Sequence, residues 1–493
     1  MNKQLRRLGA GLLACYLALF AMVNWVQVFH AGTLNEHPQN TRKIVRDFSR
    51  PRGQILSADG AVLAKTVPSA PGDQFPLQRT YPEGDLFGHI TGTFNFNFGA
   101  SGVEQTYNDE LAGATVSQEY ETLRDLFVDR EQTGDVTLTI RKDIQQLARD
   151  ALGEQKGSVV VLDPRDGSIL GMWSFPSYDP NPLASHNLTE AQNLKALLEA
   201  SPDRPLRGRA WQEIFFPGST FKAVTGAIGV ETGKVTPEEP VFPTETEYKA
   251  PDSDRTIGNF GGRACGGALF DVLRVSCNTA FARMGAEVVG EDLMQAGVKR
   301  FGFNARPPID LPAAATSEFG ATDNSKAFLG QASIGQRTTK ATPLQMALVA
   351  AAVANNGIVM TPHVMKEIRD DNGKVIETFE DKPWITAMNP QTAATMREAM
   401  IGVVQGGTGT AARISGVEVG GKTGTAQVGS DPPTSEAWFI CFAGQPGEPP
   451  SVAVAVLVEG RPGFPDEATG GAVAAPIAKQ LVEQVLLLQA AGG

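Results

Sequence analysis

The chain has 493 residues, enough for two or three domains and a large buried core. Apolar residues make up 42% and charged residues 20%, an ordinary globular balance with no long stretch that reads as disordered. The net charge of −11 argues against a nucleic-acid partner, because such binding rests on neutralising phosphates. The four cysteines form no CxxC pair and the five histidines no ligand-like spacing, so no metal and no cofactor are expected.

At the N-terminus, Lys3, Arg6 and Arg7 precede an apolar run from Leu8 to Phe29 that only Asn24 and Gln27 interrupt. A helix of that length spans a hydrocarbon core, and the cationic flank stays on the cytoplasmic side. A cleaved signal peptide needs a shorter apolar stretch and a small-residue cleavage site. Leu12-Leu13-Ala14-Cys15 loosely resembles a lipoprotein cleavage box, but the apolar run continues well past Cys15. Residues 1–30 are therefore read as a cytoplasmic stub and single-pass anchor in the cell membrane, with everything after His30 outside.

Residues 31–138 are rich in turns and short extended pieces. Arg52-Gly53-Gln54-Ile55-Leu56 leads into Asp59-Gly60, a hairpin dipeptide, and then Ala61–Ala64. Gly99 to Glu104 opens a helix that runs to Leu111. No chemistry-bearing pattern stands out here, and the segment reads as a non-catalytic, mainly β pedestal of dimerisation type.

The composition changes near Asp135, and residues 139–493 read as the catalytic domain. Val136–Ile140 alternates like a strand, and Ile144–Leu152 shows helical spacing. Gly157–Leu162 and Ile169–Trp173 flank the turn residues 163–167 as a strand pair. Further strands are predicted at Glu418–Val428, Trp438–Ala443 and Val452–Val458, and a closing helix at Ala472–Leu488. The fold class implied is α+β, with an antiparallel sheet flanked by helices.

Three short motifs carry chemistry. Ser219-Thr220-Phe221-Lys222 follows the break at Pro217-Gly218 and opens a helical stretch to Gly229. Spacing of three puts Ser219 and Lys222 on one helix face. A serine hydroxyl is a weak nucleophile until a base removes its proton, and a lysine serves if burial or a nearby cation keeps it neutral. A helix N-terminus adds positive dipole near a developing oxyanion. The second motif, Ser276-Cys277-Asn278, sits in an apolar helical stretch with Val272, Leu273, Phe281 and Met284. Ser185-His186-Asn187 matches its pattern but reads as a loop. The third, Lys422-Thr423-Gly424-Thr425, lies on a strand: alternation puts Thr423 and Thr425 on one side, Gly424 permits close approach to the backbone, and Lys422 supplies charge.

In this order and spacing the three resemble the SxxK, SxN and KTG signature of serine penicillin-recognising enzymes. The run Arg209-Ala210 to Ser219, the segment Gly407 to Ala412 and Trp438-Phe439 resemble the same family, and Arg52-Gly53 with Gly102 and Glu104 resembles the N-terminal domain of class B penicillin-binding proteins, the PbpA type of actinobacteria above all. The resemblance implies a five-stranded antiparallel sheet sandwiched by helices on an extended pedestal. It implies a D,D-transpeptidase that cross-links peptidoglycan stem peptides and is acylated by β-lactams. Ser219 is then the nucleophile, Lys222 the base and Ser276 the proton relay; Asn278 holds Lys222 and the substrate amide. Lys422, Thr423 and Thr425 bind the substrate carboxylate, and the backbone N–H groups of Ser219 and Thr425 form the oxyanion hole. A membrane glycan polymerase and other wall-assembly proteins are the implied partners. The weighed alternatives are a D,D-carboxypeptidase or a β-lactamase, of which a soluble β-lactamase needs neither anchor nor pedestal, and a non-enzymatic scaffold or sensor.

Cys265 and Cys277 both lie in the exported part, where disulfides are allowed, and a bridge between them and two free buried thiols are equally compatible with the sequence. A bridge would contribute roughly 2–3 kcal/mol by chain entropy. Cys441 sits in an apolar strand-like run and reads as a buried small hydrophobe.

Overall fold

The protein is described by a computed structural model that covers residues 2–26, 48–113, 133–429, 434–460 and 469–491. The end of the predicted anchor after residue 26 and the pedestal stretches 31–47 and 114–132 lie outside the described residues.

The N-terminal helix Asn2–Trp25 has 24 residues and a length of about 36 Å, enough to cross a bilayer. Its large apolar side chains from Leu5 to Trp25 are all exposed. The helix is thus long and apolar, and among the described residues nothing is packed over it.

Five strands form the central antiparallel sheet: β1 (Gly157–Leu162), β2 (Ile169–Phe175), β3 (Glu418–Val428), β4 (Thr434–Gly444) and β5 (Val452–Glu459). Their spatial order is β3-β4-β5-β1-β2, so β3 is an edge strand. The inner strands are buried on both faces, which explains why β1 and β5 read as continuous Val/Ala/Leu runs without alternation. Helices cover the two faces. Five of them matter below: α1 (Lys222–Glu231), α2 (Leu269–Arg274), α3 (Asn278–Arg283), α4 (Pro343–Ala354) and α5 (Ala475–Ala490). Every residue of α4 is buried, so it shows no polar stripe. The predicted closing helix starts three residues late, after a π-helical turn at Gly470–Ala474.

The pedestal reads as expected at its hairpin, where Ile55–Leu56 pairs antiparallel with Val62–Pro68 and Gly60 takes φ +81° in the turn. Local pattern did not show that the sheet has six strands, of which Met365–Asp370 and Val375–Thr378 come from the C-terminal half of the chain. Met365–Asp370 pairs with Gly134–Leu138, so hydrogen bonds cross the boundary read at residue 138. Asp310 adds a second tie: its carboxyl accepts from the Tyr107 hydroxyl at 2.6 Å and from the N–H groups of Val364 and Met365. At the pedestal's centre Glu104 is fully buried between two guanidinium groups, with Arg52 and Arg79 each at 2.6 Å. Gly53 and Gly102 are required beside it. A Cβ on Gly53 would lie 2.1 Å from the Gly134 carbonyl oxygen, and Gly102 has φ +58°.

Candidate active site

The nucleophile turn is built by backbone contacts. Gly218 has φ +51° and donates its N–H to the Gly335 carbonyl at 2.9 Å. Thr220 turns its hydroxyl back onto the Pro217 carbonyl at 2.7 Å. That side-chain bond tightens the entry, so residues Gly218–Phe221 form a 3-10 turn and the α-helix begins only at Lys222. The expectation of a helix opening at Ser219 is corrected in that detail. Two side chains of β4 hold the approach to this turn. Glu436 accepts from the Phe216 N–H at 2.6 Å, and the Trp438 indole donates to the Phe216 carbonyl at 2.9 Å. Arg209, fully buried at the start of the same run, pairs with Glu459 on β5 at 2.9 Å.

Gly424 works differently from the sequence expectation. A Cβ there would lie 2.7 Å from the Pro217 carbonyl oxygen and 2.9 Å from the Thr220 methyl carbon. The space its missing side chain leaves is taken by the nucleophile turn, which packs directly on β3. On the other side of the strand, the Thr423 carbonyl accepts from Lys422 Nζ at 2.8 Å. The Thr423 backbone therefore faces away from β4, and by the two-residue period so does the Thr425 N–H. That donor points off the free edge of the sheet.

Ser276 does not lie within one continuous helix, as its apolar neighbours led us to expect. Helix α2 ends at Arg274, α3 begins at Asn278, and Ser276 stands between them with φ +60°. A left-handed conformation costs a non-glycine residue about 1–2 kcal/mol. It turns both the carbonyl and the hydroxyl of Ser276 toward Lys222, at 2.7 and 3.2 Å from Nζ. Asn278 Oδ1 completes the set at 2.6 Å. Lys422 Nζ reaches the same Ser276 hydroxyl at 2.8 Å. Two lysines thus meet on one serine oxygen, and both are 0% exposed.

Among the described residues no carboxylate pairs with either amine. Burial, and then the charge of Lys422, hold Lys222 well below the ordinary lysine range. Burial brings Lys422 itself down to about 7. Ser219 is half-buried and its hydroxyl takes part in no hydrogen bond among the described residues, Lys222 included. Lys222 instead donates three bonds, as an ammonium does. On losing its proton the amine keeps two donors and gains a lone pair that can face Ser219.

Cys265 and Cys277 are bridged, with Cα atoms 5.8 Å apart, and Cys277 is buried behind the second motif. Cys441 is a free, buried thiol in β4. The decoy Ser185-His186-Asn187 is a loop in which Asn187 caps the next helix. Three contributors carried no usable sequence signal. Glu436 is pushed up to about 8 by burial. The Thr408 hydroxyl lies 2.6 Å from that of Thr423. Asn259 accepts the N–H groups of Asn278 and Thr279. The segment containing Thr408 was recognisable as part of the family pattern, but not its contact with Thr423.

Residues 157–483 match the penicillin-binding protein transpeptidase domain, and residues 52–136 match the penicillin-binding protein A dimerisation domain. The chain is 38% identical to peptidoglycan D,D-transpeptidase PbpA of Mycolicibacterium smegmatis, over 99% of each chain. It is 36% identical to the protein of that name from Mycobacterium tuberculosis, again over 99% of each. The ceftriaxone acyl-enzyme complex of penicillin-binding protein A from M. tuberculosis superimposes with a TM-score of 0.81 at 35% identity, covering 90% of this chain and 100% of that one. The imipenem acyl-enzyme complex of the same protein gives a TM-score of 0.80. With its fold, its motif order and a transpeptidase match over more than half its length, the chain belongs to the penicillin-binding transpeptidase family.

Proposed function

We propose that the chain is a serine peptidoglycan D,D-transpeptidase, and that β-lactams inhibit it by acylating Ser219. The observation that carries this reading is the buried pair of amines on Ser276, one of them three residues after a serine whose hydroxyl makes no hydrogen bond among the described residues. In the proposed reaction, neutral Lys222 takes the proton of the Ser219 hydroxyl as its oxygen attacks the penultimate carbonyl of a D-Ala-D-Ala stem peptide. The oxyanion forms against the backbone N–H groups of Ser219 and Thr425. The proton returns through Ser276 to the leaving D-Ala amine, and an ester on Ser219 remains. The amine of a neighbouring stem peptide then attacks the ester, its proton passes by way of Lys222 to the departing Ser219 oxygen, and the free serine is regenerated with a cross-link formed. Asn278 orients Lys222 and the substrate amide. Lys422, Thr423 and Thr425 receive the terminal carboxylate, with Gly424 bringing strand and nucleophile turn together.

The proposed organisation is an anchor over 1–30, a pedestal over 31–138 and a transpeptidase domain over 139–493. The exposed apolar helix Asn2–Trp25 crosses the membrane once, with Lys3, Arg6 and Arg7 inside and the catalytic domain outside. A membrane glycan polymerase that supplies the uncross-linked strands is the fitting partner.

Intact-mass spectrometry after mixing with benzylpenicillin tests the chemistry. The full chain in detergent should acquire one slowly lost adduct, mapped to the peptide that carries Ser219. Ser219→Ala should acquire none. An adduct that persists on Ser219→Ala would remove Ser219 as the nucleophile, and rapid loss with accumulating hydrolysed drug would make the protein a hydrolase.

A further inference from the structure

The amide of Asn278 has to meet Lys222 with its oxygen, yet the two ends of an asparagine amide have nearly the same shape. Something outside the motif must choose between them. Helix α3 also has an unmet need. Its N-cap, Cys277, is committed to a disulfide and makes no side-chain cap, so the first N–H groups of the helix lack the usual acceptor.

The turn at Gly258-Asn259 answers both. Asn259 Oδ1 accepts from the N–H of Asn278 at 2.9 Å and from that of Thr279 at 3.0 Å. The Gly258 carbonyl accepts from Asn278 Nδ2 at 2.9 Å. With its NH2 end held there, the Asn278 amide can only turn its oxygen to Lys222, where it lies at 2.6 Å. Asn259 is itself fixed, because its Nδ2 donates to the Glu245 carbonyl at 2.9 Å. We propose that Asn259 is a positioning residue for acylation: a cap supplied from a distant turn that fixes the first turn of α3 where the Gly258 carbonyl can hold the Asn278 NH2 end, so that the amide oxygen meets Lys222 and that amine is aimed at Ser219.

The inference rests on the reading of Lys222 as the base. Among the described residues the other charged group in that network is Lys422, bonded to the same Ser276 hydroxyl, and the ring of Phe281 lies 5.8 Å from Lys222 Nζ. Asn259 touches neither Ser219 nor Lys222 in the hydrogen-bond network, so a loss of rate on its substitution has to pass through Asn278.

The test compares Asn259→Ala, Asn259→Asp and Lys222→Ala in the full chain. Acylation by benzylpenicillin is followed as a function of pH, and each rate is normalised to the limiting adduct stoichiometry. Asn259→Ala should acylate about 10- to 100-fold more slowly, the scale on which a misplaced catalytic group costs rate. Its acid limb should move to lower pH, because an amine that loses an acceptor is less easily protonated. Asn259→Asp keeps an acceptor for both N–H groups but gives up the donor to the Glu245 carbonyl, and should recover part of the rate. A wild-type rate or an unmoved acid limb in Asn259→Ala would overturn the proposal. If Lys222→Ala is inactive while Asn259→Ala is normal, this inference alone fails. If Lys222→Ala acylates at the wild-type rate, the reading of the base fails with it.

Discussion

Two clusters of buried charge stand in this chain, and they are built on opposite plans. In the pedestal, Arg52 and Arg79 close on a single carboxylate, Glu104, and the Tyr81 hydroxyl lies 3.4 Å from the same carboxylate. Burial alone would raise Glu104, but the two guanidinium groups prevail and hold it below the ordinary carboxylate value. In the active site, Lys222 and Lys422 share a serine hydroxyl with no carboxylate on either amine among the described residues. There burial and like charge act in the same direction, and both amines move down toward neutrality. The same low dielectric thus serves two ends. A compensated cluster keeps its charges and fixes geometry, while an uncompensated one gives up a proton and becomes a base.

The comparison predicts opposite responses to removing one member. Lys222→Met replaces the amine by an apolar chain of similar length. Acylation should fall by about 10³-fold or more, near the upper range for a general base. Stability should hardly follow: an uncompensated amine is removed at the expense of orphaned acceptors on Ser276 and Asn278, and the melting temperature should move by no more than about 4 °C. A collapse of the fold in this variant would show that the amine is structural. Glu104→Gln is the converse experiment. It leaves two buried guanidinium groups facing each other and should cost about 3–5 kcal/mol, read as an earlier unfolding transition in urea. The fraction that remains folded should still acylate. Unchanged stability would mean that water or another group neutralises the pedestal cluster.

How much of this was legible in the sequence follows the range of the interactions. Strands β1, β3 and β5 are short-range facts, written as apolar runs between turn residues, and were placed within a residue or so. Spacing and motif order single out Ser219, Lys222, Ser276, Asn278 and Lys422, and the structure gathers the last four into one hydrogen-bond network. The break at Ser276 was not legible, since Val275-Ser276-Cys277 contains neither Gly nor Pro and its left-handed residue is imposed by tertiary contacts. The pairing of Met365–Asp370 with the pedestal strand Gly134–Leu138 joins segments more than two hundred residues apart, and nothing in either strand names its partner. Asn259 and Glu436 failed to stand out for the same reason. Each acts on a backbone N–H, of Asn278 and Phe216 respectively, and any residue supplies one.

The subtlest consequence of the uncompensated site is its pH dependence. Lys422 sits at about 7 because burial disfavours its charge, and Lys222 lies well below the ordinary value because burial and Lys422 both disfavour its charge. With the roles proposed for the two lysines, acylation by a β-lactam that bears a carboxylate needs Lys222 neutral and Lys422 charged. As pH falls through the depressed range of Lys222, the base is protonated and the rate drops. As pH rises through about 7, Lys422 loses its charge, and the carboxylate should be held about tenfold less well for each further unit. The pair therefore gives a bell with its alkaline limb near neutrality, about three units below a free lysine. An activated ester without a carboxylate separates the two roles. It should keep the acid limb and lose the alkaline one, because it has no use for the charge on Lys422. If both substrates share the alkaline limb, Lys422 acts on the Ser276 relay and not on the substrate carboxylate. The contrast with the pedestal would then stand, but the charge on Lys422 would serve proton transfer and not binding.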